Sequence, residues 1–177
     1  MPTPLEWLET DGLGGYATGS VAGPRTRRYH SILTVAAAPP ASRVTLVAGF
    51  DAFVVSAAGK AAISSQRYEP GVVYPDGALR LEGFERSPWP RWTFRMPDGA
   101  RVVQELFVPR GLAVTALRFR REGKPGEATL ELRPLIAARE HHLVHHENSS
   151  FNLGCDQQES VVTWRPYPGV PPIGAFS

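Results

Sequence analysis

The stretch that decides the fold class is PRWTFRMPDGARVVQELFV, residues 90–108, which has the pattern of two strands joined by a tight turn. Apolar and polar residues alternate on both sides of the Pro-Asp-Gly sequence, and this period of two is typical of half-buried strands. Glycine in the turn supplies the positive φ angle that such a connection needs. The segment therefore predicts an antiparallel β-hairpin.

Similar patterns recur along the chain. Residues 43–55 (RVTLVAGFDAFVV) predict a bent strand or a pair of strands, residues 112–137 a second hairpin, and residues 160–168 a short strand. Seventeen glycines and seventeen prolines interrupt the chain at strand-length intervals and leave no room for a long amphipathic helix. The sequence therefore predicts an all-β protein, an antiparallel sandwich or a barrel.

Composition limits the class of protein further. A chain of 177 residues with 42% hydrophobic and 20% charged residues is expected to form a single globular domain over residues 1–177. Residues 166–177 are rich in proline and glycine and are interpreted as a linker or a boundary. No apolar run approaches the about 20 residues of a membrane span, so no membrane association is expected.

Charge and cysteine content indicate which binding partners and which cellular location to expect. The formal net charge is only +2 and the basic residues are scattered, which does not favour nucleic acid. The N-terminal residues lack the pattern of a signal peptide, and the single cysteine cannot form an internal disulfide. Both observations favour a cytoplasmic location.

The glycine-rich stretch GLGGYATGSVAGPRTRRYH, residues 12–30, raises the possibility of a phosphate-binding loop. A Walker loop requires a lysine, and none occurs between residues 1 and 59. A dinucleotide fingerprint requires a third glycine where Ala17 stands, so the glycines are interpreted as backbone turns.

The same stretch ends in four polar or aromatic residues at the start of a predicted strand. On a strand, Arg27 and Tyr29 lie on one side, and Arg28 and His30 on the other. They are interpreted either as solvated surface residues or as a polar edge that contacts a ligand or another domain.

Residues 137–152 (AAREHHLVHHENSSFN) contain four of the five histidines. His142 and His146 are four apart and would share a helix face, as zinc ligands can, but the segment follows a predicted strand. On a strand, Leu143 would separate His141 from His145. A hydrogen-bonding polar loop is the favoured interpretation, and neither a metal nor a cofactor is expected.

Two tryptophans, Trp89 and Trp92, lie close to prolines and arginines in SPWPRWTF. Their rings could stack on the C–H faces of sugars, or they could close the end of a β-sandwich.

Together these stretches resemble the N-terminal part of bacterial and archaeal glycogen debranching enzymes, the amylo-α-1,6-glucosidase family. The first motif of that family runs Asn-Gly-x-Gly-Gly-Tyr and continues, after small residues, to Thr-Arg-Arg-Tyr-His-Gly-Leu-Leu. The matching residues are Gly12, Gly14, Gly15, Tyr16, Gly19, Gly23, Thr26, Arg27, Arg28, Tyr29, His30 and Leu33. Asp11, Ser31 and Ile32 depart from it.

A second, looser motif of the family is Arg-Asp-x-His-His-x-x-x-Glu-Asn. The matching residues here are Arg139, His141, His142, Glu147, Asn148 and Phe151, while Glu140 replaces the aspartate. The resemblance implies a supersandwich fold like that of the N-terminal domains of glucoamylase-like glycosidases. That sandwich normally runs longer, so it is expected to be incomplete within 177 residues.

The resemblance also implies a function. In this family a catalytic (α/α) barrel follows the sandwich and carries the carboxylates for α-1,6-glucosidic hydrolysis, and residues 1–177 are expected not to contain that barrel. The chain is therefore expected to be a non-catalytic domain that packs on the barrel and helps to bind or position α-glucan, such as glycogen or a maltooligosaccharide. The expected substrate or interface residues are Arg27, Arg28, Tyr29, His30, Trp89, Trp92, His141, His142, Glu147 and Asn148.

Two alternatives remain open. The domain could be a purely structural module between domains, without contact to sugar. It could also be a small enzyme in its own right that uses the histidine cluster, although no catalytic residues are assigned.

Overall fold

The structure is a computed structural model that describes residues 5–177. It confirms the all-β prediction, because fifteen strands and one 3₁₀ turn (Gly77–Arg80) form its regular structure, with no α-helix in that range. The strands are β1 Glu6–Thr10, β2 Tyr16–Ser20, β3 Ser31–Ala38, β4 Ala41–Ser56, β5 Gly59–Ala62, β6 Gln66–Tyr68, β7 Val72–Tyr74, β8 Leu81–Glu85, β9 Arg91–Arg95, β10 Arg101–Phe107, β11 Ala116–Glu122, β12 Ala128–Glu140, β13 Cys155–Gln158, β14 Val161–Trp164 and β15 Ile173–Phe176. No helix in this part of the chain could span a membrane.

Two antiparallel sheets form the body of the molecule. The first has the order β1-β2-β3-β4-β12, with β5 also paired to β4, and the second has the order β11-β10-β9-β8. The main core lies between them and combines Trp7 and Val54 of the first sheet with Trp92, Phe94 and Leu106 of the second. Two sheets that share one apolar interior make this a sandwich rather than a single barrel.

The hairpin predicted over residues 90–108 is present as β9 and β10. Arg95 pairs with Arg101 at the end of the ladder, and the Met96 N–H donates to the Ala100 carbonyl at 2.8 Å. Gly99 has a φ of 87°, and the Asp98 carboxylate accepts from the Ala100 N–H at 2.9 Å. The turn residues alone account for this connection.

The second predicted hairpin is wrong, although both of its strands exist. β11 pairs with β10 of the second sheet, and β12 pairs with β4 of the first, so residues 123–127 cross between the sheets. Phe119 of β11 and Phe50 of β4 meet edge to face across the sandwich, with ring centroids 6.4 Å apart. Leu117 and Phe119 of β11 and Leu130 of β12 thus pack against the same core from two different sheets instead of lying side by side in one.

The C-terminal residues form a further sheet. β14 lies between β13 and β15, and Ile173 of β15 is buried with Val35 and Val47 of the first sheet. The stretch 166–177, interpreted from its composition as a linker, thus contains a strand that packs against the sandwich.

Candidate functional site

Two turns meet at one edge of the first sheet, and we call them together the ridge: residues 27–30, before β3, and residues 140–143, at the end of β12. Residues 27–30 are not on a strand as predicted, because the His30 N–H donates to the Arg27 carbonyl at 3.1 Å and closes a turn. The turn regroups the four side chains. Arg27 joins His30, and Arg28 joins Tyr29, instead of alternating between two faces.

Arg27 and His30 share one carboxylate. Arg27 Nε donates to Glu6 Oε1 at 2.6 Å, and His30 Nε2 lies 3.3 Å from the same oxygen. His30 Nδ1 accepts from the Thr26 N–H at 3.2 Å, so the neutral ring carries its proton on Nε2, toward Glu6. Burial lowers the pKa of His30 and outweighs the opposing effect of Glu6, while the Arg27 hydrogen bond lowers the pKa of Glu6.

Arg28 and Tyr29 contact His142 across the ridge. Arg28 Nη1 donates to the His142 carbonyl at 2.9 Å, and the Tyr29 hydroxyl lies 3.2 Å from His142 Nδ1. The Tyr29 ring is 39% exposed and meets the His142 ring edge to face at 5.8 Å. Tyr29 is thus oriented by its neighbour while one part of its surface faces solvent.

Arg139 ties the two turns together. Its Nη1 donates to the carbonyls of His141 at 3.1 Å and Leu143 at 2.6 Å, and its Nη2 donates to the Arg28 carbonyl. The side chain is half-buried, and this burial lowers the pKa of the Arg139 guanidinium below its ordinary value. We call this set of backbone contacts the Arg139 clamp.

The histidine segment makes hydrogen bonds, as the favoured interpretation expects. Glu140 accepts from the His142 N–H at 2.8 Å and lies 3.0 Å from His141 Nδ1. Burial acts to raise the pKa of Glu140, but these two contacts and the electrostatic effect of both histidines together outweigh it and lower that pKa. Further along, His145 Nε2 lies 3.0 Å from the Tyr167 hydroxyl, and Asn148 Nδ2 donates to the same hydroxyl at 2.8 Å.

One grouping within the ridge was not considered in the sequence analysis. Glu140, His141 and His142 could each offer one ligand atom to a metal ion, and these atoms lie within 4.8 Å of one another. The helical and strand spacings tested on the sequence pair other histidines, because they do not describe consecutive residues in a turn. The expected absence of a metal stays a prediction.

A depression lies on each side of the ridge. The tyrosine groove, of about 600 Å³, is lined by Leu8, Gly15, Tyr16, Tyr29, Arg43 and His142, among others. The arginine cleft, of about 630 Å³, is lined by Arg25, Arg27, Arg28, Arg139, Glu147 and Asn148, among others. The predicted site residues are therefore divided: Tyr29, His141 and His142 line the groove, whereas Arg27, Arg28, His30, Glu147 and Asn148 line the cleft.

The two predicted tryptophans lie away from the ridge. Trp92 is 4% exposed and meets Trp7 edge to face at 5.4 Å, so it belongs to the core between the sheets. Trp89 is half-buried against Phe107, at 5.5 Å between ring centroids. The packing interpretation describes both side chains.

Sequence reasoning left three contributors out of the site. Arg139 and Tyr16 match the family motifs but were not counted as site residues, and Arg25, which lies just before the Thr-Arg-Arg-Tyr-His sequence, was not singled out. Tyr16 is the last residue of the Gly-Gly-Tyr pattern, so that motif was the signal that could have identified it.

Comparisons with known proteins agree with these motifs. A family model described as glycogen debranching enzyme N terminal matches residues 5–177. No curated protein and no solved structure matches the chain. Since the family match covers every residue that the structure describes, the chain belongs to the family of glycogen debranching enzyme N-terminal domains.

Proposed function

We propose that this chain is a non-catalytic domain that packs against the catalytic domain of a glycogen debranching enzyme and helps to position α-glucan. Membership of the family supports the setting. The observation that carries the proposal is the ridge: it holds Tyr29 partly exposed at the wall of the tyrosine groove.

The tyrosine groove has the chemistry that a neutral sugar chain requires. The rings of Tyr16 and Tyr29 offer flat apolar faces to sugar C–H groups, and His142 offers a ring nitrogen for a hydroxyl. Gly12, Gly14 and Gly15 also line the groove and leave the backbone uncovered there. A methyl group on Gly15 would approach the Thr34 carbonyl to 2.7 Å, so the floor has no room for a larger residue.

The other side of the ridge has features of a protein interface. Val144 and Leu153 line the arginine cleft and are 69% and 84% exposed. Large apolar side chains surrounded by charged groups are typical of surfaces that pack against another protein domain. This supports the apolar part of the cleft rim, at Val144 and Leu153, as a contact with the catalytic domain.

The distribution of carboxylates supports a non-catalytic role. Glycoside hydrolysis by the usual mechanisms requires two carboxyl groups that flank the scissile bond. None of the described residues that line the groove is Asp or Glu, and Glu147 is the single acidic residue among those that line the cleft. The acid and base would therefore come from another part of the enzyme.

Isothermal titration of the 177-residue chain with maltoheptaose tests the proposal. Tyr29→Ala should weaken binding by about fivefold or more, because an aromatic stacking contact is worth about 1 kcal/mol beyond its buried area. Tyr68→Ala is the matched control, since Tyr68 is also exposed but lies on β6, outside the groove. A purely structural module would give no heat with maltoheptaose for any of the three proteins.

A further inference from the structure

We infer that the arginine cleft binds a phosphoryl group, carried either by inorganic phosphate or by a phosphorylated sugar. This goes beyond the proposed positioning of α-glucan, because an unmodified glucan is uncharged and does not require guanidinium groups for its recognition.

The first observation is the charge of the cleft. Four arginines line it, Arg25, Arg27, Arg28 and Arg139, whereas Glu147 is the one carboxylate among the lining residues that the structure describes. The formal excess among the lining residues is three positive charges, and it is two once Glu6, which pairs with Arg27, is included, so it equals the net charge of +2 of the whole chain. The cleft therefore concentrates positive charge that the rest of the surface balances, which favours an anionic ligand.

The second observation is the environment of Arg25. Its side chain is half-buried, and Nη1 donates to the uncharged amide oxygen of Gln66 at 2.9 Å. Over residues 5–177 no carboxylate forms an ion pair with it. Asp51 acts on it electrostatically, but Oδ2 of Asp51 is bound by Arg133 and its buried Oδ1 has no hydrogen-bond partner. A guanidinium withdrawn from water without a counter-ion is costly, and an anion in the cleft would offset that cost.

Two further arginines keep their charge available. Arg28 uses one N–H on the His142 carbonyl, and the Arg139 clamp uses carbonyls only. Carbonyl acceptors satisfy individual donors but do not neutralise the cation. Arg27 differs, because Glu6 already pairs with it at 2.6 Å.

A phosphoryl group suits this arrangement better than a carboxylate does. It presents three acceptor oxygens in different directions and carries nearly two negative charges near neutral pH. A carboxylate presents two oxygens in one plane, which matches a single guanidinium fork. Arginines at three positions, Arg25 and Arg28 in the connection before β3 and Arg139 on β12, match the first geometry.

Titration of the 177-residue chain with inorganic phosphate at fixed ionic strength tests the inference, with acetate as the competing anion. Phosphate should bind and acetate should bind at least about tenfold more weakly. Arg25→Met and Arg28→Met should each weaken phosphate binding by about tenfold, since each removes one charge-assisted contact. Arg118→Met is the control for net charge, because Arg118 is exposed on β11 and absent from the cleft lining.

Glu147→Gln provides a change of opposite sign. It removes the carboxylate from the cleft and should tighten phosphate binding severalfold. If the attraction depended only on net charge, Arg118→Met would weaken phosphate binding by the same factor. Circular dichroism identifies a variant that fails to fold, and Arg28→Met, at an exposed side chain, then carries the test.

Two further ligands distinguish the source of the phosphoryl group. If glucose 6-phosphate binds more tightly than phosphate and glucose does not bind, the ligand is a sugar phosphate. If glucose 6-phosphate and phosphate bind with equal affinity, the ligand is the free ion. The inference is overturned if phosphate gives no heat, if acetate binds as well as phosphate, or if Arg118→Met weakens binding as much as the cleft variants do. Equal binding of acetate would indicate that carboxylates of another domain fill the cleft.

Discussion

The core between the two sheets and the ridge at their edge are held together in different ways. In the core, Trp7, Trp92 and Phe84 pack ring against ring and exclude water. In the ridge, Arg139 and Arg28 donate to backbone carbonyls, and much of the surface stays exposed. The core is therefore stabilised by apolar area, and the ridge by hydrogen bonds that fix a shape without covering it. Exposed side chains held in place are what a binding surface needs.

The largest effect is expected at the centre of the core. Trp92→Ala should lower the free energy of unfolding by about 4 kcal/mol, because it removes a buried ring and leaves a cavity. Trp92 also donates from Nε1 to the Val21 carbonyl at 3.0 Å, and this contact is lost as well. Urea denaturation followed by circular dichroism measures the change. Trp89→Ala, at a half-buried ring, should cost clearly less, and equal costs would contradict this division.

The next effect tests a polar residue that is buried as deeply as the core. Asp11 accepts from the N–H groups of Leu13 at 2.7 Å and Gly15 at 2.9 Å and so holds the turn under the tyrosine groove. Asp11→Ala should cost about 3 kcal/mol in urea denaturation, since two charge-assisted hydrogen bonds are lost. Asp11→Asn keeps an acceptor oxygen and should cost less than half of that. If the two variants were equally unstable, the hydrogen bonds would not be the cause.

The ridge itself should respond more weakly. Arg139→Met keeps most of the apolar stem but removes the clamp, and it should lower stability by about 2 kcal/mol. The same variant should weaken maltoheptaose binding, because His142 and Tyr29 would no longer be oriented together. Arg28→Met removes one hydrogen bond and should cost about 0.5 kcal/mol. A clamp variant that kept full stability would show that the ridge is held by other contacts.

The pH dependence of stability separates His30 from the rest of the ridge. Its pKa is lowered on folding, so the unfolded chain takes up the proton first as the pH falls below about 6.5. Stability should then decline from pH 6.5 down to the folded-state pKa, and His30→Gln should flatten this part of the profile. Melting temperatures between pH 5 and 8 measure it, with the exposed His146→Gln as control. The contribution of Glu6 appears separately, below pH 4.5.

The smallest expected effect is that of zinc. Glu140 and His141 already contact each other at 3.0 Å, and the charges of Arg28 and Arg139 lie close by and repel a cation. Added zinc or a chelator should therefore leave the melting temperature unchanged. A rise with zinc that disappears in His142→Ala would contradict this and assign the cluster as a metal site.

A structural feature of this molecule could be predicted from the sequence when the residues that determine it are neighbours in the chain, and not when they are far apart in the chain. The β9–β10 hairpin is set by four turn residues, and it was predicted correctly. The partners of β11 and β12 depend on packing across the whole sandwich, which no local pattern contains. Residues 27–30 resembled a strand because an apolar strand follows them, whereas the turn depends on Glu6 and Arg139, which are distant in sequence.

The candidate site follows the same rule. The motifs identified Tyr29, His141 and His142, which do line one groove, but they could not show that Arg27, Arg28 and His30 line the opposite depression. Nor could they distinguish Trp92, which is buried, from a surface aromatic residue. Strand periodicity shows which residues share a face of the sheet, but not which face packs against the other sheet.

The Arg139 clamp has a consequence for how this surface can evolve. Its donors bind carbonyl oxygens, which every amino acid possesses, so the positions it holds are not restricted to particular side chains. A mutation at Leu143, whose side chain is exposed, can change what the ridge displays while the clamp keeps its contact with the backbone carbonyl. Related proteins that keep Arg139 could thus keep the backbone shape of the ridge while neighbouring side chains change, one substitution at a time, and with them the binding specificity.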